Sequence, residues 1–166
     1  MGGRADSTKG GSMKNILLAV EDSPASLAAA QLAVRLVSEW AGRLRAVHVL
    51  VDGALEAVLE REASSGGVHG RRARGANAVL EFVADLADHA GVPVETTLVA
   101  GEPARSILAE AHGWPAELIV LGGAGRGLDG EPYIGSAVSR VLEFADVPVL
   151  VVPPGGRPSQ DAQTHG

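Results

Sequence analysis

Five apolar runs recur along the chain, and each interval between them carries an apolar stripe at helical spacing. The first, Asn15 to Val20 (Asn-Ile-Leu-Leu-Ala-Val), is continuously apolar after its opening residue, the pattern of a strand covered on both faces. Arg43 to Val51, Val92 to Ala100, Glu117 to Leu121 and Val147 to Val152 read as the second to fifth strands; Pro93 places the third near a sheet edge or a strand start. After the first strand, Glu21-Asp22-Ser23-Pro24 is a helix start, because Ser23 can cap and Pro24 suits the first turn. Leu27, Ala30, Val34 and Val37 then recur at helical spacing, and the helix is predicted to end near Trp40-Ala41-Gly42. Val79, Phe82, Val83, Leu86 and Ala90 form the stripe of a second helix. Ile107, Leu108 and Ala111 form a shorter one after Glu102-Pro103, and a last helix runs from Ser136 to about Phe144 with Val138, Val141 and Leu142 inward. Strands alternating with helices predict an α/β fold on a doubly wound parallel sheet. The link from Asp52 to Gly70 is unusually long; a helical turn at Leu55, Val58 and Leu59 and a mobile Ser64-Ser65-Gly66-Gly67 stretch are expected in it.

Composition narrows the class. At 166 residues the expectation is one domain. Residues 1–13 and 153–166 lack an apolar period and are expected to be disordered, with Met13 placed as an alternative start; residues 14–152 form the folded unit. Aromatic residues make up 3% of the chain, so the core must be aliphatic. No secretory leader follows Met1, and Gln31 and Arg35 interrupt the longest candidate for a membrane span. The absence of cysteine excludes a disulfide frame, a thiol nucleophile and cysteine metal sites, and fits a cytoplasmic protein. A net charge of −6 argues against nucleic acid as a partner, while leaving open a small polyanion held by backbone donors.

The candidate chemistry lies after the fourth strand. Gly122-Gly123-Ala124-Gly125-Arg126-Gly127-Leu128-Asp129-Gly130-Glu131-Pro132-Tyr133-Ile134-Gly135-Ser136 carries a strand into a glycine-rich loop and then into a helix at Gly-Ser. Glycines allow backbone N–H groups to approach an anion without a Cβ in the way. A helix N-terminus adds unpaired donors and the positive end of the dipole. The spacing Gly122-x2-Gly125-x9-Gly135-Ser136 resembles the glycine signature of the nucleotide-binding branch of the universal stress protein family. Ile16-Leu17-Leu18-Ala19-Val20 with Ser23 and Ser26, His48-Val49-Leu50-Val51-Asp52, Gly101-Glu102-Pro103 and Val147-Pro148-Val149-Leu150-Val151-Val152 are similar to that family's recurring blocks.

The resemblance implies a five-stranded parallel sheet of order 3-2-1-4-5, a fold like that of the adenine nucleotide alpha hydrolases. In that order the first and fourth strands are neighbours at the topological switch point, where open parallel sheets bind ligands. Carried over singly, Glu21 would stand near the sugar or metal-bound phosphates and the Val49 backbone against adenine. Gly122 would line the ribose, Gly125 and Arg126 the phosphates, and Gly135 and Ser136 the outer phosphates. The chain departs from the pattern in three places: Glu21 stands for a usual aspartate, Asp22 for a common glycine, and Gly123-Ala124 for a more usual Ser-His. The implied ligand is ATP, with Mg2+ brought by the phosphates and Asp129 and Glu131 as candidate carboxylates. Charge-assisted contacts of about 1.5–3 kcal/mol each, set against roughly 1–2 kcal/mol per ordered loop residue, point to micromolar affinity.

Other motifs are weaker. Gly125-x-Gly127-x2-Gly130 fits G-x-G-x-x-G, but Glu131-Pro132 follows it instead of a helix. The only lysines, Lys9 and Lys14, exclude a Walker loop. His48 reads as a packed core residue and His112 as a dipole partner; the histidines show no zinc spacing. Arg71, Arg72 and Arg74 read as an exposed loop before the Val79 helix. The resemblance implies a nucleotide-responsive regulator, and with no P-loop lysine and no evident general base beyond Glu21 its ATP hydrolysis is expected to be slow at most. The alternatives are a family member acting by protein contact alone, or a fold-related adenylating ATPase. In the implied order residues 147–152 form an edge strand, so a homodimer through that strand is expected.

Overall fold

A strand with apolar side chains on both faces needs a cover on each side, and the fold supplies one. The computed structural model describes residues 13–51, 68–123 and 134–154, with residues 68–74 and 76 described by their backbone alone. The elements are β1 (Asn15–Ala19), α1 (Pro24–Trp40), β2 (Arg43–Leu50), α2 (Val68–His89), β3 (Val94–Ala100), α3 (Pro103–Gly113), β4 (Leu118–Gly122), α4 (Ser136–Phe144) and β5 (Val149–Val152). The strands form one parallel sheet of order β3-β2-β1-β4-β5, the order that the resemblance implies. Ile16 pairs with Leu44 on one side and Leu118 on the other, which sets β1 at the centre.

Side chains of β1 alternate between two cores. Ile16, Leu18 and Val20 pack with Ala29, Ala30, Ala33 and Val37 of α1 and with Val79, Leu80 and Val83 of α2. Leu17 turns the other way, toward Ile107 and Ala111 of α3 and Val141 of α4. The alanine row of α1 brings that helix close to the sheet, since a short side chain adds little to the interaxial distance. The core is aliphatic as expected, with one exception: Trp114 is 7% exposed in the second cluster.

Several boundaries differ from the sequence reading. β3 begins at Val94 and β5 at Val149, because Pro93 and Pro148 contribute only carbonyls, to Leu44 N–H and Ile119 N–H at 3.0 Å each. Helix α2 starts at Val68, so Arg71, Arg72 and Arg74 belong to the helix and not to a loop before it. Phe82 and Leu142 are 39% and 44% exposed, and Ala90 is exposed too; Leu80 and Ala87 take inward places in α2 instead. The turn expected at Leu55, Val58 and Leu59, the Ser64–Gly67 stretch and most of the two tails lie outside the described residues.

The amino end of the sheet is tied by polar contacts. Glu117 accepts from the backbone N–H groups of Lys14 and Asn15 at 2.7 and 3.0 Å, joining the start of β1 to that of β4. Arg45 pairs with Glu95 and, at 3.5 Å, with Glu110. The Arg43 and Arg45 guanidinium carbons stand 5.7 and 5.1 Å from the Trp114 ring centroid. Partly exposed ion pairs of this kind contribute about 1 kcal/mol or less each.

The two backbone N–H groups hold the Glu117 carboxyl below its usual range. A depressed folded-state pKa gives stability that is present above the unfolded value and is lost as pH falls through the folded one. Glu117→Gln is therefore expected to lower the urea midpoint at neutral pH, and the gap to the wild type should close as the medium becomes acidic. Denaturation at a series of pH values checks both.

Candidate functional site

Where β1 gives way to α1, the chain turns through hydrogen bonds that its own side chains supply. Val20 N–H donates to the Val47 carbonyl at 2.9 Å, extending the pairing one residue past β1. Ser23 caps α1, its Oγ accepting from Ser26 N–H at 3.2 Å. Ser26, 1% exposed, accepts in turn from Glu21 N–H at 2.8 Å. The end of β4 lies directly on this turn: a Cβ on Gly122 would sit 2.6 Å from Ser26 N and 2.7 Å from the Ala25 carbonyl carbon. Gly122 is thus demanded by the packing of β4 on α1, a reason separate from any contact with a ligand.

A cavity of about 330 Å³ opens beyond the carboxyl ends of β1, β2 and β4, between α3 and α4. That is within the usual range for small-molecule sites. Glu21, Val49, Gly122, Gly135 and Ser136 all line it, although they come from four different parts of the chain. Gly125 and Arg126, and with them Asp129, Glu131 and the G-x-G-x-x-G stretch, lie outside the described residues. The aliphatic walls, chiefly Val47, Ile107, Val138 and Val141, were not read as site residues; strand and helix periodicity marks them only as core. Ser26 also lines the cavity; the sequence places it in a block similar to the family's, without a role in the site.

The electrostatics of the cavity are simple. Among its described lining residues Glu21 is the one ionisable side chain, and it is exposed. The helix ends differ in a way that matters more. Ser23 occupies one donor of α1, and Glu102 accepts from Ala104 N–H and Arg105 N–H of α3 at 3.3 and 2.8 Å. Helix α4 has Gly135 at its cap and no side-chain hydrogen bond there. Among the described residues the first-turn donors of α4 therefore meet no capping side chain, and they carry the positive end of the dipole. Arg140 of α4 pairs with Glu102 at 3.8 Å, linking the two helices that flank the cavity. His48 is half-buried, and not the packed residue expected; its Nδ1 lies 2.8 Å from the Val20 carbonyl oxygen. Among the described residues no group of three or more His, Asp or Glu side chains is placed to hold a metal.

The fold has counterparts among known proteins. The model of the universal stress protein family matches residues 13–153. The chain belongs to that family. Universal stress protein MJ0531 of Methanocaldococcus jannaschii is 32% identical over 140 residues, spanning 84% of this chain and 81% of its own. Universal stress protein YxiE of Bacillus subtilis is 31% identical over 149 residues, 82% of this chain and 97% of its own. Among solved structures, hypothetical protein MJ0577 superposes with a TM-score of 0.74 at 22% identity, covering 87% of this chain and 99% of that one. An Arabidopsis thaliana family protein with AMP bound gives 0.62 at 18% identity (90% and 97% covered), and the Archaeoglobus fulgidus protein in complex with dAMP gives 0.59 at 19% (84% and 97%).

In this universal stress protein Gly122→Ala is expected to be destabilising whether or not ligand is present. The added methyl meets backbone on α1 and cannot rotate away, which puts the loss at about 1–3 kcal/mol. A fall of several degrees in the thermal midpoint of the ligand-free protein checks it; an unchanged midpoint would mean that α1 shifts freely.

Proposed function

We propose that the cavity binds an adenine nucleotide, ATP with Mg2+ carried on its phosphates, and that the protein is a cytoplasmic, nucleotide-responsive stress regulator hydrolysing ATP slowly at most. The observation that carries this reading is the N-terminus of α4, without a side-chain cap among the described residues, opening on a cavity walled chiefly by aliphatic side chains of strand ends and helices. Such an end suits phosphate, and such walls suit a purine. In this reading the base lies against the backbone at Val49, Glu21 stands beside the sugar or the Mg2+-bound phosphates, and Gly122 borders the ribose. Gly135 and Ser136 receive the outer phosphates, with Gly125 and Arg126 completing the cradle. The AMP and dAMP held by distant members of the fold support an adenine nucleotide as the ligand class. Residues 14–152 are the unit proposed to do this.

Titration calorimetry with ATP and magnesium is expected to give micromolar affinity. Gly135→Val should abolish it while the circular dichroism spectrum stays native, because the new side chain stands at the entry to α4. Absence of heat at millimolar ATP would favour a member of the family that acts by protein contact alone.

The proposal extends to a homodimer through residues 147–152. Within the sheet β5 pairs only with β4, which leaves its other side an edge, and all four of its residues are partly exposed. Leu142 and Phe144 of the adjoining α4 are 44% and 63% exposed, apolar surface that a partner would cover. Light scattering is expected to report twice the chain mass, and Val149→Lys with Val151→Lys a folded monomer. A wild-type monomer at tens of micromolar would refute the dimer.

A further inference from the structure

The peptide unit joining Val20 to Glu21 is held at both of its polar atoms by side chains. Its carbonyl oxygen lies 2.8 Å from His48 Nδ1, and its N–H donates to Ser26 Oγ at 2.8 Å. A carbonyl offers no proton, so Nδ1 is the donor, with the ring neutral or charged. Ser26 is itself fixed, being 1% exposed with its backbone N–H on Ser23 Oγ. His48 is anchored by its strand, paired with Leu98 of β3. Neither bond belongs to the sheet or to a helix. Both act on the peptide that follows the last ladder bond of this strand, Val20 N–H to the Val47 carbonyl, at the mouth of the cavity.

We infer that His48 and Ser26 are positioning residues for the ligand site, a two-sided clamp on the Val20–Glu21 peptide plane that fixes the direction in which Glu21 leaves the backbone. The inference rests on the nucleotide reading of the cavity. With the N–H and C=O of this peptide both engaged, the turn offers a ligand the Glu21 carboxylate, which accepts hydrogen bonds and donates none. A flexible carboxylate would have to be ordered at the moment of binding; a clamped backbone has met part of that cost on folding.

AMP affinity measured by calorimetry on the full chain tests this. His48→Leu and Ser26→Ala should each weaken AMP binding about three- to tenfold, the size of one or two lost neutral hydrogen bonds. His48→Asn, whose amide nitrogen can take the place of Nδ1, should recover most of the loss. In a Glu21→Ala background, neither substitution should weaken binding further, since the clamp acts through Glu21. Amide hydrogen exchange at Glu21 should quicken in Ser26→Ala. Wild-type affinity in both single variants, or an undiminished loss without Glu21, would overturn the clamp while leaving the nucleotide reading intact. A wild type that binds no AMP or ATP would overturn that reading, and the clamp's part in affinity with it. Should Ser26→Ala fail to fold, the His48 arm decides, because that side chain is half-buried.

Discussion

Ile16, Leu17 and Leu18 of β1, with Ile119 and Val120 of β4, are fully excluded from solvent, and they are excluded from both sides. Each face of this strand pair must be covered by a helix layer, since apolar area left wet costs about 25 cal/mol per Å². α1 and α2 cover one face, α3 and α4 the other. The helices following β1 and β4 therefore depart in opposite directions from adjacent strands, and a crevice between them is unavoidable. The site is a by-product of burying the sheet.

What makes the crevice a defined cavity is the contact between Gly122 and the first turn of α1. Ser26 meets Gly122 through its backbone and Glu21 through its hydroxyl, so the ends of β1 and β4 are held against one residue. On the far side of the cavity α4 is held differently, by Val141 in the core and by the Glu102–Arg140 pair at 3.8 Å. One wall is close-packed backbone; the other is a short helix tied partly by an exposed ion pair, which adds little holding energy. Of the two walls, the α4 side is the less firmly held.

Much of this was legible in the chain and some was not, for physical reasons. The uninterrupted apolar run Ile16–Val20 announces two-faced burial, and Ser23-Pro24 announces the helix after it. The third and fifth strands start at Val94 and Val149, later than the Val92 and Val147 of their apolar runs, because Pro93 and Pro148 accept in the ladder without donating. The inward positions of α2 slipped from Phe82 to Leu80 because a stripe wider than one turn has flanking neighbours that spacing does not separate. The polar start of α2 carries no apolar period, so Arg71 to Arg74 looked like a loop. Gly122, Gly135 and Ser136, singled out by the glycine spacing, line one cavity. That spacing could not show that Gly122 answers first to α1, nor that His48 reaches a backbone oxygen on another strand, because backbone partners leave no trace in side-chain patterns.

The strand order also has a consequence in time. β2 and β3 lie on one side of β1 and follow it closely in the chain, while β4, the neighbour on its other side, is made only after them. On a ribosome the amino-terminal half can pair β1 with β2 and β3 while the remaining edge of β1, among the most apolar in the molecule, still waits. Contacts of such long sequence separation are slow to form, and exposed strand edges invite aggregation in the interval. The Gly122 contact with α1 can close only after that wait, so a nascent chain pairs its amino-terminal strands first and completes its cavity last.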